Sequence, residues 1–427
     1  MSVDVDVAYL SSTSWNADMR ERLRWLQQND PVYWSEKDGV WVVTRYDDVT
    51  AVSKDQELFT SGQGVRPGNP ARIGLIDEPE PRHSQLRRLL NKGFTPRMVG
   101  KLEEAFAQIV DETLDAIATK GQCDFVEDVA VPLPLLIIAE MIGIRREDRE
   151  AFHRWSDAMI SADGNEHDPE IMAAAGQGFV EYSAYVSEIV EQRRREPKDD
   201  LVSILVNADD EGVLGRFEDA QSPMALDEAH VEMIKNELMM LCVILMVAGN
   251  ETTRNALSGG MQLLIEHPEE RRKLLEDPSL IPSACEEILR LVSPVLSFSR
   301  TATRDTELRG RKISEGQQVL IVYPAANRDP EVFDAPDTFR VERNPQHLAF
   351  GIGNHFCLGA NLARMELRVA FAELLRRFPD MEYSTGGPEF GPSALVRSCV
   401  HMNVRYTAET PPAVSYTHLT LPTKRIV

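Results

Sequence analysis

The sequence predicts a mainly α-helical protein with a small β region and no division into separate domains. Amphipathic stretches of helical periodicity recur along the chain, short β-rich runs occur near both ends, and no internal repeat or long linker interrupts it. With 427 residues, of which 43% are hydrophobic, the chain has ample material for one large core. We therefore expect a single domain over residues 1–410, followed by a disordered or non-native tail over residues 411–427.

The composition disfavours several classes of function. A net charge of −22 argues against general nucleic-acid binding and against attachment to an anionic membrane surface. The five cysteines are widely scattered and form no C-x-x-C pair, which disfavours a zinc site or an iron–sulfur cluster. The N-terminus lacks a signal peptide, and the longest apolar run, residues 238–249, is too short for a membrane span. We therefore expect a cytoplasmic protein without a membrane span.

The first half of the chain begins with a hairpin and continues with helices. Residues 31–46 hold two β-rich runs around Asp38-Gly39, which is a strong hairpin signal. Residues 61–76 predict an irregular loop, and a helix is expected from residue 83 to about 92. Thr95-Pro96 predicts the cap of the next helix. Further helices are expected over 131–144, 147–162 and 169–195, with polar loops at 163–168 and 209–222.

The second half is organised around a central helix and a loop that holds a cysteine. Residues 238–249 predict a buried core helix, and residues 400–406 predict a closing strand. In the glycine-rich loop 350–359, Cys357 stands directly before a helical segment over 360–378. Unsatisfied amide donors and the helix dipole at such a position favour the thiolate, so we expect a lowered thiol pKa. The alternative is a buried structural cysteine beside a turn.

Two motifs in this half point to a family. The pattern F-x-x-G-x-x-x-C-x-G around Cys357 resembles the haem-ligand signature of the cytochromes P450, and every fixed position is filled. Glycines let a flat ligand approach, and haem bound through cysteine fits this arrangement. The central helix continues into Ala248-Gly249-Asn250-Glu251-Thr252-Thr253, and this A-G-x-E-T-T pattern resembles the oxygen-activation motif of the same family. A structural kink at the glycine is the alternative.

Three shorter features fit the order of the family's motifs. His83 and Arg87 lie four residues apart on one helix face and match an H-x-x-x-R pair that reaches the haem propionates in the family. Two solvated surface residues are the alternative. Glu287 and Arg290 form an E-x-x-R pair between the two main motifs. In the family, a downstream arginine that corresponds to Arg343 joins this pair in a buried salt-bridged triad that serves folding.

The resemblance implies a cytochrome P450 fold, a triangular helical prism around haem b. It implies that Cys357 is the axial iron ligand and that Glu251 and Thr252 deliver protons for the activation of dioxygen. Electrons would come from NAD(P)H through a ferredoxin reductase and a ferredoxin, and one oxygen atom would be inserted into a C–H bond. Eight more residues are placed at the cofactor by the resemblance: His83, Arg87, Ala248, Arg300, Phe350, Gly351, His355 and Gly359.

The predicted substrate pocket is overwhelmingly apolar, which indicates a large hydrophobic substrate. Its candidate residues are Val65, Ile73, Leu75, Met240, Ile244, Val247, Val295, Leu296 and Phe298. Stretches such as 66–71, 123–128, 154–157 and 199–203 are similar to the actinobacterial subfamily that oxidises the terminal methyl group of cholesterol and cholestenone side chains. A terpene or a fatty acid is the alternative substrate. A non-catalytic haem sensor is the alternative of another class, although a sensor needs no proton relay.

A small basic patch interrupts this acidic sequence. Arg88, Lys92 and Arg97 follow the H-x-x-x-R pair closely. They form either a solvated helix face or a docking surface for an acidic electron donor such as a ferredoxin. We expect a monomer with a hydrophobic small-molecule substrate and no nucleic-acid partner.

Overall fold

The computed structural model describes residues 3–67, 74–162, 165, 167–217, 226 and 228–410, and leaves out the side chains at 96, 97 and 146. Ile73 and the tail 411–427 lie outside the described residues. The α-helices are α1 Met19–Asn29, α2 Tyr46–Lys54, α3 Arg82–Leu90, α4 Pro96–Ala118, α5 Pro132–Ile142, α6 Arg149–Ser161, α7 Pro169–Arg195, α8 Leu201–Asp210, α9 Glu228–Ile234, α10 Glu237–Glu266, α11 Pro268–Glu276, α12 Ile281–Val292, α13 Tyr323–Ala326 and α14 Ala360–Arg377.

The remaining regular structure is short. The strands are β1 Val32–Ser35, β2 Val40–Val43, β3 Phe59–Thr60, β4 Gln122–Asp124, β5 Ser297–Ala302, β6 Thr306–Leu308, β7 Arg311–Ile313, β8 Gln318–Val322, β9 Glu382–Tyr383, β10 Glu389–Phe390, β11 Cys399–His401 and β12 Asn403–Arg405. Short 3-10 helices cover Ser12–Ser14, Asn91–Phe94, Arg146–Asp148 and Pro278–Leu280, and a π-helical segment covers Val126–Ala130.

Helix α10 runs through the largest hydrophobic core and packs closely on three neighbouring helices. A Cβ atom at Gly249 would lie 2.5 Å from Ile138 in α5, and one at Gly260 would lie 2.4 Å from Phe371 in α14. At Gly259 the nearest atom, in Val292 of α12, would be 2.7 Å away. Each glycine therefore allows a close helix contact that a larger residue would prevent. At Gly249, the close contact with Ile138 gives a packing reason for the glycine.

A five-stranded sheet in the order β1-β2-β8-β5-β3 lies beside the helical core. The predicted hairpin forms β1 and β2, with Val32 opposite Val43 and a left-handed turn at Gly39. Strand β8 joins β2 in parallel, whereas β5 pairs with both β8 and β3 in antiparallel fashion. The sheet therefore places strand β8 directly beside the N-terminal hairpin and β5 one strand further away, although both come from the second half of the chain.

The structure confirms the mainly helical prediction with a small β region and corrects several details. Strands were expected only near the ends, but β5 to β8 lie between α12 and α13 and complete the main sheet. The loop predicted from residue 209 starts later, because helix α8, which the side chain of Asp200 caps at its start, continues to Asp210. The predicted closing strand is two strands, β11 and β12. Among the described helices, none is both long enough and apolar enough to cross a bilayer.

Candidate active site

The loop before α14 is closed on itself and holds Cys357 at its end. The backbone N–H of Cys357 donates to the carbonyl oxygen of Phe350 at 2.9 Å. Gly351 and Gly353 adopt φ values of +67° and +81°, which glycine tolerates best. A Cβ at Gly353 would lie 2.9 Å from the carbonyl oxygen of Ser53 at the end of α2, so this glycine allows the loop to pack on that helix. The loop position is thus fixed by contacts with the protein.

The expectation of a lowered pKa for Cys357 is wrong for the polypeptide alone. Burial raises the pKa of this thiol, and the Gly359 N–H, Arg87 and Arg364 act in the opposite direction without outweighing it. The sequence argument counted the amide donors and the helix dipole but not the desolvation of the sulfur. The positive charge of a bound metal ion would act against this effect of burial and favour the thiolate.

Four basic side chains converge beside this loop. The rings of His83 and His355 stack with centroids 4.0 Å apart and an interplanar angle of 32°. Arg300 is 3% exposed, and the pKa of its guanidinium is lowered chiefly by burial. Burial also lowers the pKa of Arg87, whose charge acts on Cys357. The pKa of His355 is lowered to about 3 by burial and by the charges of Arg300 and His83. Arg87 and Arg300 thus place positive charge in a poorly solvated place, beside two histidines that burial keeps neutral near neutral pH.

The unsatisfied polar atoms of this cluster fit a cofactor with carboxylates. His83 Nδ1 donates to the Glu80 carboxylate at 3.2 Å, but His83 Nε2 and the donor Arg300 Nε are buried without a hydrogen-bond partner among the described residues. Buried donors are rarely left unpaired, so an anionic ligand is expected here. A Cβ at Gly359 would meet no atom within 4 Å, which leaves room beside the cysteine loop. A thiol ligand, an open glycine face and paired arginine and histidine donors together suit haem with its propionates.

One stripe of α10 is accessible although the helix crosses the core. Ala248 is exposed, and Ile244, Val247 and Thr252 are partly exposed, whereas most other residues of the helix are buried. These positions are three, four and eight residues apart and therefore share one face. Because α5, α6, α12 and α14 surround the helix, we infer that this face borders an internal space. The side chains on this face of α10 are apolar apart from the hydroxyl of Thr252.

The acid and the alcohol of the A-G-x-E-T-T motif have different surroundings. Thr252 Oγ1 donates to the carbonyl oxygen of Ala248 at 2.7 Å, as the back-bonding geometry predicts. Glu251 is 2% exposed, and its Oε1 accepts from Arg254 and Asn255. Burial raises the pKa of Glu251; Arg254 and Asn255 lower it, and the charge of Asp157 raises it further. Glu251 therefore binds its proton more tightly than an exposed glutamate does.

The other predicted pocket residues come from three segments. Val65, Leu75, Met240 and Leu296 are buried, whereas Val295 and Phe298 are partly exposed. The carbonyl oxygen of Val65 accepts from Ser299 N at 2.8 Å, which places the loop after β3 against β5. Sequence analysis missed residues 394–396, although the carbonyl oxygen of Leu395 accepts from Leu296 N at 2.8 Å. No local pattern marks this contact, because it joins two distant irregular segments.

A buried ion network supports the site from α12. Arg290 Nε and Nη2 donate to the two carboxylate oxygens of Glu287 at 2.7 and 2.8 Å, and Arg343 Nε donates at 2.9 Å. Sequence analysis missed a second network, in which Arg364 binds Glu286 through two bonds of 2.7 and 2.9 Å. The guanidinium of Arg364 also lies over the Phe350 ring at 4.7 Å. This second network therefore holds the start of the cysteine loop.

The predicted docking patch is only partly described. Arg88 and Lys92 are exposed, and neither forms an ion pair within the described part of the chain. Arg88 lies on α3, and Lys92 lies in the 3-10 segment that follows it. The patch is therefore at the end of the helix that carries His83 and Arg87 of the basic cluster. The side chain of Arg97 lies outside the described residues.

Comparison with known proteins agrees with this site. The family profile described as Cytochrome P450 matches residues 14–389. A steroid C26-monooxygenase of Mycolicibacterium smegmatis is 35% identical over 394 residues, which cover 92% of this chain and 94% of that protein. The polyketide biosynthesis cytochrome P450 PksS of Bacillus subtilis is 36% identical and covers 80% of this chain and 82% of its own length.

A solved structure shows the same fold. The crystal structure of CYP109E1 from Bacillus megaterium in complex with testosterone superposes with a TM-score of 0.76 at 30% identity, covering 90% of this chain and 98% of that chain. The family assignment therefore rests on the profile, on full-length relatives and on the fold. The chain belongs to the cytochrome P450 family, and it is a monooxygenase that works with haem, dioxygen and electrons from a redox partner.

Proposed function

We propose that this monooxygenase hydroxylates the terminal methyl group of a sterol side chain, with cholesterol or cholest-4-en-3-one as substrate. The observation that carries the hydrophobic character of the substrate is the accessible face of α10, where Ile244, Val247 and Ala248 form an apolar stripe that ends at Thr252. A slender hydrocarbon end fits along such a stripe. The similarity to a steroid C26-monooxygenase supports the same substrate class.

A terpene, a fatty acid or another apolar metabolite is the second candidate. The identity to PksS is as high as the identity to the steroid C26-monooxygenase, so overall similarity alone does not choose between them. The apolar stripe on α10 suits all of these molecules, because a hydrophobic wall discriminates weakly among hydrocarbons of similar shape.

The residues around the cysteine loop would bind the cofactor. We assign Cys357 as the axial ligand of haem b, with His83, Arg87, Arg300 and His355 at its propionates, because these two arginines and two stacked histidines lie together beside the cysteine loop. The remaining predicted cofactor contacts are Ala248, Phe350, Gly351 and Gly359. When bound, haem with a cysteine ligand supplies the activation of dioxygen for insertion into a C–H bond.

Glu251 and Thr252 would supply protons on the substrate side. The raised pKa of Glu251 keeps its carboxyl protonated to a higher pH than usual, so the group holds a proton that it can donate. Thr252 Oγ1 donates to the Ala248 carbonyl oxygen, and the lone pairs of the same hydroxyl can accept a hydrogen bond. Such a hydroxyl is suited to pass a proton from Glu251, through water, to the reacting oxygen.

The electron donor would be a ferredoxin, reduced by NAD(P)H through its reductase. Arg88 and Lys92 are exposed cations on a chain with a net charge of −22, and they suit an acidic partner. Together with Arg97, they would define the docking surface of a monomeric enzyme. A non-catalytic haem sensor has less support, because the relatives are monooxygenases and Glu251 and Thr252 are both present.

An optical titration of the purified haem protein tests the substrate. We expect cholest-4-en-3-one to shift the iron spin state, and mono-hydroxylation at the side-chain terminus should follow when ferredoxin, its reductase and NADPH are added. Mass spectrometry of the product identifies the oxidised carbon. A spin-state shift with a monoterpene or a fatty acid, and none with the sterol, would assign the enzyme to the second candidate class.

A further inference from the structure

The carboxylate of Glu80 lies just before α3, in contact with the basic cluster and with the cysteine loop. Its Oε1 accepts hydrogen bonds from Ser84 Oγ at 2.9 Å and from Asn354 Nδ2 of the loop at 2.9 Å. Its Oε2 accepts from the backbone N–H of Ser84 at 3.3 Å. Burial acts to raise the pKa of Glu80, but the hydrogen bonds from Ser84, His83 and Asn354 lower it to about 2. Glu80 is therefore ionised at neutral pH and only accepts hydrogen bonds.

An ionised Glu80 determines the tautomer of His83. His83 Nδ1 lies 3.2 Å from Glu80 Oε1, and because the carboxylate only accepts, Nδ1 carries the proton of this hydrogen bond. A neutral ring that is protonated at Nδ1 has a lone pair at Nε2. Nε2 is buried and has no hydrogen-bond partner among the described residues. In this state His83 can accept a hydrogen bond at Nε2 but cannot donate one to an anion.

An ionised carboxylate at Nε2 therefore requires a second proton on His83. Two acceptors cannot form a hydrogen bond with each other, whereas an imidazolium donates from both nitrogens. Burial lowers the pKa of His83, and the charges of Arg87 on α3 and of Arg300 on β5 act in the same direction, whereas Glu80 raises it. The remaining neighbour is the His355 ring, which stacks on His83 from the cysteine loop. Glu80 is thus the group of this cluster that favours the imidazolium.

We propose that Glu80 is a positioning residue for haem, which holds the His83 ring in place and supplies the negative charge that lets His83 bind a propionate as an imidazolium. The proposal rests on the proposed function in one respect, namely that His83 lies at a propionate. The Asn354 contact fixes the same carboxylate relative to the loop that carries Cys357. Glu80 therefore acts on the cofactor through His83, in a position that is set by both α3 and the cysteine loop.

Release of haem from the ferric protein to an excess of apomyoglobin tests this role. The transfer rate measures how firmly the protein holds the cofactor, and it does not depend on turnover. Glu80→Gln keeps the size of the side chain but removes its charge, so we expect haem release near neutral pH to become about ten-fold faster. In the wild type, release should accelerate as the pH rises and His83 loses its second proton. In Glu80→Gln this acceleration should begin at a lower pH.

Two comparisons separate this role from a general effect of charge or fold. Glu57 is exposed and lines the same surface groove as Glu80, and its described hydrogen bond uses the backbone carbonyl oxygen. Glu57→Gln should therefore release haem as the wild type does at every pH. His83→Phe keeps a ring beside His355 but cannot bind a proton. In this background, adding Glu80→Gln should change the release rate by about two-fold or less.

The outcomes distinguish the role of Glu80 from the placement of His83. An equal effect of Glu80→Gln with and without His83, or faster release without a shift in the pH profile, would show that Glu80 only supports the fold and would refute the proposal. A His83→Phe variant that releases haem at the wild-type rate would overturn the placement of His83 at a propionate, and the role of Glu80 with it.

Discussion

Two buried glutamates, Glu287 in α12 and Glu251 in α10, differ in how completely their carboxylates are satisfied. They are 0% and 2% exposed. Both oxygens of Glu287 accept hydrogen bonds from Arg290, and one of them also accepts from Arg343 Nε and from the backbone N–H of Arg340. Glu251 accepts through Oε1 only, and its Oε2 has no partner among the described residues.

This difference separates a structural carboxylate from one that is suited to exchange a proton. A fully bonded carboxylate between two guanidinium groups is held as a fixed charge, and its removal leaves the arginines unpaired. A half-bonded carboxylate in a desolvated place has a raised pKa and a free oxygen for water or a proton. The two residues have the same type and nearly the same burial, so their hydrogen-bond partners decide their roles.

Glu287→Ala should cause the largest loss of stability. It leaves the fully buried guanidinium of Arg290 without its counter-charge, so we expect a loss of about 3–5 kcal/mol in the free energy of unfolding. Urea unfolding followed by circular dichroism measures this change. The control is Glu382→Ala, which removes an exposed partner of Arg405 and should cost about 1 kcal/mol or less. Similar losses in the two variants would contradict the structural role of Glu287.

Glu251→Gln should leave the fold nearly intact and impair the reaction. Glutamine keeps the acceptor for Asn255 but has no acidic proton, so we expect a fall of about 100-fold or more in hydroxylated product per NADPH consumed. The free energy of unfolding near neutral pH should change by about 1 kcal/mol or less. Product yield, hydrogen peroxide yield and unfolding are measured on the same preparation. Unimpaired coupling in this variant would remove Glu251 from the proton relay.

The sequence predicted which residues belong to the cysteine loop and to the central helix, because fixed spacings on one helix face or in one tight loop determine local geometry. It did not predict how Glu286 and Arg364, which are 78 residues apart, support that loop. It also gave the wrong direction for the pKa of Cys357, because the burial that raises this pKa exists only in the folded chain.

The stability of the wild type and of Glu251→Gln should depend differently on pH. The pKa of Glu251 is higher in the folded protein than its unfolded value of about 4.3, so the native state binds more protons between the two values. The stabilising effect of this proton is present below pH 4.3 and is lost as the pH rises through the folded pKa. We therefore expect Glu251→Gln to gain stability relative to the wild type as the pH rises. Urea unfolding over a pH series measures the difference, with exposed Glu382→Gln as control. A pH-independent difference would contradict the raised pKa.

The smallest effect is expected from Asp157→Asn. The charge of Asp157 raises the pKa of Glu251, and its carboxylate pairs with Arg254 at 3.2 Å. Without that negative charge, nothing opposes the effect of the positive charge of Arg254 on Glu251, so the pKa of Glu251 should fall. Because the protonated form donates, coupled product formation should then decline at a lower pH than in the wild type, by about one pH unit or less for a half-exposed charge. The pH profile of product per NADPH measures this shift, and exposed Asp199→Asn is the matched control. An alkaline shift, or equal profiles for all three proteins, would show that Asp157 does not raise the pKa of Glu251. Burial and Arg254 would then determine that pKa without it.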